Sequence, residues 1–258
     1  MSSNDSTSKT LLVALVLSVV CAIFVSTAAV VLKPAQEANK ALDRKRNILA
    51  AAGMLDDSKS VEEQFAQVST RVVDLRTGKF APDIDPQKYD QRKAAKDPAS
   101  SEKLDADEDL AKISRREDYA VVYLVEDPAG NIDKIILPIR GYGLWSTLHG
   151  FIALQSDVNT VAGLGFYEHA ETPGLGGEVD NPRWKAMWPG KKVYRDDEVA
   201  LGLIKGSVDA SSGASAAWQV DGLAGATLTS RGVTNLIHFW LGENGFEPFL
   251  HNLRSGEA

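Results

Sequence analysis

Residues 221–230 read Asp-Gly-Leu-Ala-Gly-Ala-Thr-Leu-Thr-Ser, a turn of small residues that ends in hydroxyl side chains. An amphipathic helix is predicted behind it over 230–241, with Gly242 as its stop. Its apolar face repeats at i, i+3, i+4 and i+7, in Val233, Leu236, Ile237 and Trp240. Because a helix N-terminus presents unpaired N–H groups and a partial positive charge, this turn suits a phosphate. The simpler alternative is that a hydroxyl only caps the helix, whether from Thr227, Thr229 or Ser230.

The half of the chain around this helix is rich in strand signals. Tyr119–Val125 and Ile132–Ile139 are β-rich runs joined by Glu-Asp-Pro-Ala-Gly-Asn at 126–131, which indicates a hairpin. Further elements are predicted as strands at 148–154, 158–166, 201–205 and 218–220, and as a short helix at 182–188. Runs of strands interrupted by a few helices are typical of an α+β domain, which is the predicted fold class.

The first half of the chain predicts more helix and less strand. Good helix formers run from Ala35 to Ala52, and Gly53 follows where a helix would end. Four more features are predicted before residue 119: a helix through about Val68 that begins at a capping box of Ser60 and Glu63, a strand at 72–75, a long polar insertion at 78–118, and local helix within it around 104–113.

An uncharged run of 22 residues, Leu11–Leu32, stands near the N-terminus. As a helix it would span roughly 33 Å, enough to cross a hydrocarbon core of about 30 Å. A cleaved signal peptide is the alternative, since residues 26–29 are small. However, an apolar signal region usually has about 7–15 residues, and Val30–Leu32 continue past such a cleavage point. A retained transmembrane anchor is therefore predicted.

Composition narrows the classes of function. Lys and Arg total 28 against 35 Asp and Glu, so the formal charge is -7, and no nucleic-acid partner is expected. Cys21 is the single cysteine, and the four histidines lack ligand spacing, so no metal site is predicted. The sequence has no nucleophile elbow, Walker A loop or dinucleotide fingerprint, so NADH binding is not expected. Its chemistry is expected to reside in a bound cofactor.

The turn resembles the flavinylation motif Asp-x-x-(Ser/Thr)-Gly-Ala-Thr, on which a flavin transferase esterifies FMN to the threonine hydroxyl. Asp221, Gly225, Ala226 and Thr227 match this motif, and Ala224 stands where a hydroxyl residue is usual. The resemblance implies covalent FMN on Thr227 through a phosphoester. Asp221 is implied to position the motif or to be recognised during modification, with an ordinary turn aspartate as the alternative.

The whole chain is similar to the family of C subunits of the bacterial Na+-translocating NADH:quinone oxidoreductases, which contain an FMN-binding domain. Besides the anchor, the segments Gly-Tyr-Gly-Leu-Trp at 141–145 and Glu-Thr-Pro-Gly-Leu-Gly at 171–176 carry the resemblance. It implies an FMN site made of Thr227 with Asp221, Gly225, Ala226 and Thr229, of Leu144 and Trp145, and of Glu171, Thr172 and Leu175. The alternatives are a core tryptophan that covers a sheet and a plain surface loop.

The function implied by the resemblance is electron transfer by a flavoprotein subunit of a six-subunit respiratory complex. That complex oxidises NADH, reduces ubiquinone and exports Na+ across the inner membrane, with NADH oxidation and quinone reduction on other subunits. A flavin transferase is implied for maturation. The implied organisation is a cytoplasmic N-terminus at 1–10, a transmembrane helix at 11–32, membrane-proximal helices and the polar insertion at 33–118, and an FMN-binding domain at 119–258.

Charge counting and the resemblance disagree on the side of the membrane. Lys9 precedes the span, while five cations follow it closely: Lys33, Lys40, Arg44, Lys45 and Arg46. The count would place the C-terminal side in the cytoplasm, whereas the resemblance implies a periplasmic flavin domain. Large domains translocate largely regardless of such charges, so the periplasmic side is expected.

Two alternatives to the implied function stay open: the flavin subunit of the related ferredoxin-linked (Rnf-type) complex, and an anchored binding module without covalent flavin.

Overall fold

The computed structural model describes residues 6–258, apart from the side chains at 210–212 and 214. Of the predicted N-terminal tail at 1–10, residues 1–5 lie outside this range. The chain divides into two compact units, one up to Arg44 and the other Lys45–Ala258. The sequence-based division at residue 119 falls inside the second unit.

The N-terminal helix α1 (Thr7–Ala51) contains the whole predicted span. Among the described residues it is the one helix long and apolar enough to cross a membrane, with a mean hydropathy of 2.8 in its most apolar stretch. It continues through Pro34 and ends before Gly53, whose φ of 65° is the left-handed conformation that glycine supplies at helix ends. The helix predicted over 35–52 is thus confirmed as a direct continuation of the apolar run.

The second unit is built on strands. In chain order these are β1 (Val68–Asp74), β2 (Lys79–Phe80), β3 (Ser101–Lys103), β4 (Arg115–Glu117), β5 (Tyr119–Glu126), β6 (Ile132–Tyr142), β7 (Thr147–Gln155), β8 (Val161–Glu168), β9 (Tyr194–Arg195), β10 (Glu198–Val199), β11 (Gly202–Ile204) and β12 (Gln219–Asp221). A six-stranded sheet has the order β2-β1-β5-β6-β7-β8, and all its neighbours are antiparallel. The short β11 and β12 pair in parallel.

Five shorter helices complete the second unit: α2 (Val61–Phe65), α3 (Gln91–Ala94), α4 (Pro182–Lys185), α5 (Thr227–Leu241) and α6 (Glu247–Ser255). With the strands they give the mixed α/β domain that the sequence predicts after its N-terminal helix. The predicted hairpin and the strands near 148, 201 and 218 are confirmed within a few residues. The strand predicted from Val158 begins at Val161.

Two hydrophobic cores lie on opposite faces of the six-stranded sheet. Successive residues of β5 alternate between them, as the strand period requires: Val122 and Leu124 join one core, and Val121 and Tyr123 join the other. The first core contains the apolar face of α5 and the side chains of Phe249 and Leu250 from α6. The second is covered by the last turn of α1, including Ile48 and Leu49, and by α2.

Helix α5 lies against β6 and the turn after it at unusually short range. A Cβ on Gly141 would lie 2.5 Å from the Cβ of Leu236, and one on Gly232 would overlap the carbonyl oxygen of Tyr142. Trp240 also donates its indole N–H to the carbonyl of Arg140 at 2.6 Å. Two glycines, one on each element, therefore permit this packing, which sets the position of the N-terminus of α5.

Three sequence-based expectations need correction. No helix forms around 104–113, because the Asp109 carboxylate accepts hydrogen bonds from the backbone N–H groups of Ile113 and Ser114 and folds the segment into turns. Helix α5 begins at Thr227 rather than at Ser230. The helix predicted from Ser60 through about Val68 ends at Phe65, because Val68 already pairs with Val125 as the first residue of β1.

Gly163 of β8 is required by the end of α1. A Cβ there would overlap the carbonyl oxygen of Ala51, whereas one on Gly165, two residues along the same strand, would meet nothing within 4 Å. We expect Gly163→Ala to cost about 1–3 kcal/mol, the usual penalty for overpacking. Gly165→Ala is the matched control and should change the free energy of unfolding by less than about 0.5 kcal/mol. Thermal unfolding of both variants measures the difference, and equal melting temperatures would contradict it.

Candidate functional site

Thr227 is the first residue of α5, and its side chain is exposed. The residue before it, Ala226, occupies the N-cap position and offers no side-chain hydrogen bond. Among the described residues, none makes a hydrogen bond with the Thr227 hydroxyl. The alternative that this hydroxyl only caps the helix is therefore wrong. It is available to a reagent from solvent at the positive end of a four-turn helix.

The other two hydroxyl residues of the turn, Thr229 and Ser230, are buried, and both form hydrogen bonds within the protein. Ser230 accepts a hydrogen bond from the N–H of Leu223 at 2.9 Å and donates one to the carbonyl of Ala226 at 3.0 Å. These bonds tie the turn to the first turn of α5. Thr229 donates its hydroxyl proton to Oε2 of Glu171 at 2.7 Å. Of the three candidate hydroxyls, only that of Thr227 faces outward.

Gly225 gives the turn its shape. Its φ is 71°, a left-handed conformation that side chains disfavour, and a Cβ there would lie 3.0 Å from Cδ2 of Leu175. The contact brings the 171–176 segment beside the turn, as the resemblance implies. Ala226 is buried and Ala224 is exposed. A hydroxyl in place of Ala224 would therefore face solvent.

Glu171 connects three segments of the site. Its Oε1 accepts hydrogen bonds from the backbone N–H groups of Leu144, Trp145 and Ser146 at 2.9–3.2 Å, while Oε2 accepts from Thr229. The side chain is buried, with 5% of its surface exposed. Burial alone would raise its pKa, but these four hydrogen bonds outweigh burial and hold the pKa of the carboxyl below its ordinary value. Both oxygens are occupied, so this ionised group holds the loop and the helix together.

Three exposed apolar side chains lie on the segments that meet at Thr227, and we call them the apolar shelf. Trp145 is 66% exposed, Leu228 51% and Leu175 43%. Trp145 is held through its backbone by Glu171, and Leu175 lies against Gly225. Leu144 is half-buried and Thr172 exposed beside them. Large apolar side chains exposed on neighbouring segments make this surface a candidate for binding a ligand or a partner.

A groove of about 520 Å³ opens beside Thr227, which lines it. One wall is the face of α5 that carries Thr227, Ser230, Arg231 and Thr234, the opposite wall is the segment 203–207, and the turn 222–225 forms the floor. Two cations, Lys205 and Arg231, line it. The sequence reasoning missed both, although Arg231 stands four residues after Thr227 and so shares its helix face.

Asp221 ends β12 under this groove. Its Oδ1 accepts a hydrogen bond from the N–H of Val208 at 2.8 Å, and its carbonyl accepts one from the indole N–H of Trp184 at 3.0 Å. The half-buried carboxylate thus fixes the segment that follows β11. All ten residues implied by the resemblance lie on the turn, on the start of α5, or on the two segments joined by Glu171.

The comparisons with known proteins identify the domain that contains this site. A family model described as an FMN-binding domain matches residues 143–242, which include the apolar shelf, the groove and Thr227. The C subunit of the Na+-translocating NADH-quinone reductase of Pseudomonas aeruginosa is 58% identical over 263 residues, and the match covers 100% of both chains. The corresponding C subunit of Vibrio anguillarum is 50% identical, with 99% of this chain and 98% of that one covered.

Two solved structures share the fold. Shewanella oneidensis NqrC superposes with a TM-score of 0.75 at 35% identity, over 83% of this chain and 97% of that one. The C subunit of the Parabacteroides distasonis reductase gives 0.65 at 26% identity, over 85% and 96%. With relatives this similar over their full length, the chain belongs to the family of C subunits of the Na+-translocating NADH-quinone reductases.

Proposed function

We propose that this protein is the electron-transfer subunit of a Na+-translocating NADH-quinone reductase and carries FMN as a phosphoester on Thr227. The exposed and unbonded hydroxyl of Thr227, inside a matched FMN-binding domain, is the observation that carries the proposal. In the attachment, the hydroxyl oxygen bonds to phosphorus, the hydroxyl proton is lost, and the leaving group of an activated FMN donor departs. A flavin transferase supplies the catalysis.

The surroundings of Thr227 fit a tethered flavin. The apolar shelf of Trp145, Leu175 and Leu228 offers an open surface for an isoalloxazine ring, which a covalent bond retains without a closed pocket. Thr172 beside it is exposed and can face polar ring atoms. Glu171 supports the site and does not contact the ring, because its oxygens accept hydrogen bonds from the 144–146 loop and from Thr229. An open ring face is what electron exchange with a neighbouring redox centre requires.

The chain's own residues bind and orient the cofactor, and FMN supplies the redox chemistry. Within the proposed complex the subunit passes electrons between centres on other subunits. NADH oxidation and ubiquinone reduction, coupled to Na+ export, take place elsewhere in a six-subunit assembly. The named relatives are reductase subunits of the Na+-translocating type, which favours this complex over the ferredoxin-linked one.

Helix α1 is proposed to cross the inner membrane once, with the flavin domain on the periplasmic side. The cations that follow the apolar run oppose this orientation by charge count, so it needs a direct test. Protease added to intact spheroplasts should digest the flavin domain, and the same domain should survive protease in inverted vesicles. The reverse pattern would place the domain in the cytoplasm.

Mass spectrometry of the tryptic peptide Gly206–Arg231 tests the attachment. Isolated from membranes of cells that contain a working flavin transferase, this peptide should be heavier by one esterified FMN, with fragment ions that assign the added mass to Thr227. The same peptide from cells without the transferase is the control and should have its unmodified mass. An unmodified peptide from both sources would contradict the proposal.

A further inference from the structure

The groove beside Thr227 has an unusual charge for this protein. The chain as a whole carries a formal charge of -7, yet the described residues that line the groove include Lys205 and Arg231 and no carboxylate. Neither cation forms an ion pair or a side-chain hydrogen bond within the described part of the chain. Two unpaired cations, with no carboxylate among the residues that line the groove, create a local attraction for an anion; the nearby carboxylate of Asp221 accepts a hydrogen bond from the N–H of Val208.

We propose that this groove is the phosphate subsite of the flavin site, with Lys205 and Arg231 as positioning residues for the phosphoryl group joined to Thr227. The inference rests on the proposed attachment at Thr227 and extends it to residues outside the flavinylation motif. The ring would then lie on the apolar shelf and the phosphate in the groove.

Arg231 reaches this position because of helix geometry. Residues four apart on an α-helix have Cβ atoms about 5–6 Å apart on the same face, so the guanidinium extends from the turn of α5 directly behind Thr227. Its planar array of donors matches two oxygens of a phosphate. Thr234 lies one helical turn after Arg231 on the same face. Its hydroxyl accepts a hydrogen bond from the N–H of Leu203 at 3.0 Å and so fixes the opposite wall of the groove.

Lys205 is held on that opposite wall by the flavinylation motif itself. Strands β11 and β12 pair with Ile204 beside Asp221, and the N–H of Gly222 donates to the carbonyl of Gly206 at 3.0 Å. A side chain on Gly222 would overlap the carbonyl oxygen of Ile204. Together with the bond from Asp221 to Val208, these contacts fix the segment that carries Lys205. The geometry thereby gives Asp221 a physical task in the motif.

Two phosphates share this chemistry: the phosphate of the FMN donor as it approaches, and the ester phosphate after attachment. The test uses the full-length chain produced without the flavin transferase and then incubated with that enzyme and its flavin donor. Lys205→Gln and Arg231→Gln are compared with the wild type. Mass spectrometry of the peptide that contains Thr227 gives the rate of attachment, and fluorescence anisotropy of the fully loaded chain gives the mobility of the flavin.

We expect each variant to attach flavin about tenfold more slowly, the effect of losing one charge-assisted hydrogen bond, or to hold the attached flavin with lower anisotropy. A slower rate alone assigns the groove to the donor phosphate, and lower anisotropy alone assigns it to the ester. Lys103→Gln, which removes an exposed cation on β3, is the matched control and should behave as the wild type. Lys205→Arg should retain most of the wild-type behaviour, and Arg231→Lys, which keeps the charge but not the paired donors, should retain part of it, which separates the role of charge from misfolding.

Wild-type behaviour of both glutamine variants, in both measurements, would overturn the phosphate subsite and leave attachment at Thr227 intact. A wild-type chain that the transferase does not modify would instead overturn the attachment itself, and this inference with it.

Discussion

Thr227→Ala will leave a folded protein that carries no flavin. The substitution removes the one outward-facing hydroxyl of the turn and breaks no hydrogen bond among the described residues, because the N-cap position belongs to Ala226. Its cost in stability should therefore stay within about 0.5 kcal/mol, as for most surface substitutions. Denaturing electrophoresis under ultraviolet light should show a fluorescent wild-type band and a dark variant band, when both are coexpressed with the flavin transferase.

Thr77→Ala is the control for this experiment. Thr77 is also exposed, lies in the turn between β1 and β2, and should keep the full fluorescence when replaced. Circular dichroism and the melting temperature of Thr227→Ala should match those of the wild type. A fluorescent Thr227→Ala band would place the flavin on another residue, and an unfolded variant would show that the hydroxyl supports the fold.

Glu171→Ala is expected to be the most destabilising substitution in the site. It leaves the N–H groups of Leu144, Trp145 and Ser146 and the hydroxyl of Thr229 without their acceptor in a buried place. We estimate a loss of about 3 kcal/mol, since each orphaned buried group costs about 1–3 kcal/mol and water relieves part of it. For a domain of this size that corresponds to a fall of about 10 °C in melting temperature.

Glu171→Gln separates the charge from the shape. The amide oxygen can still accept from the three backbone N–H groups, so this variant should lose less stability than the alanine variant. The folded-state pKa of Glu171 is lowered from 4.5. The stabilisation from the ionised carboxylate is therefore present above the unfolded pKa and disappears as the pH falls through the folded one. The melting temperatures of wild type and Glu171→Gln should differ at pH 7 and converge as the pH falls below about 4.

A constant difference between these two proteins from pH 7 down to pH 3 would contradict an ionised Glu171. Thr229→Val provides a second check, because it removes the donor to Oε2 and keeps the shape of the side chain. This variant should raise the pKa of Glu171 towards its ordinary value. The melting temperatures of Thr229→Val with and without Glu171→Gln should then converge at a higher pH than those of the wild type and Glu171→Gln.

The fold was most predictable where local pattern and tertiary contacts agree. The hairpin of β5 and β6 and the apolar face of α5 follow from the alternation and the helical spacing of their own residues. The helix predicted around 104–113 is wrong, because the Asp109 carboxylate accepts hydrogen bonds from backbone N–H groups that a helix would use. Helix propensity alone does not include that competition. Helix α5 begins at Thr227 rather than at Ser230, because the Ser230 hydroxyl bonds back to Leu223 and Ala226 from inside the first turn instead of capping the helix.

At the candidate site, the sequence indicated Thr227 from its motif but not the roles of its neighbours. The resemblance placed Glu171 in the surroundings of the FMN, but it gave no sign of the hydrogen bonds by which the carboxylate joins Ser146, 25 residues away in sequence, and Thr229, 58 residues away. Contacts between segments that far apart have no local signature. Lys205 was invisible for the same reason, since only the parallel pairing of β11 and β12 brings it beside the turn.

The close packing of α5 against β6 has a consequence for the speed of the proposed electron transfer. Tunnelling rates fall steeply with separation, so an anchoring point that drifted by even a fraction of a nanometre would scatter them widely. The backbone of Gly232 lies so close to the carbonyl of Tyr142 that a Cβ there would overlap the carbonyl oxygen. If FMN is attached to Thr227 as proposed, replacing an α-hydrogen atom of Gly232 by a methyl group would displace the origin of the tether and change the distance from the flavin to every centre that exchanges electrons with it.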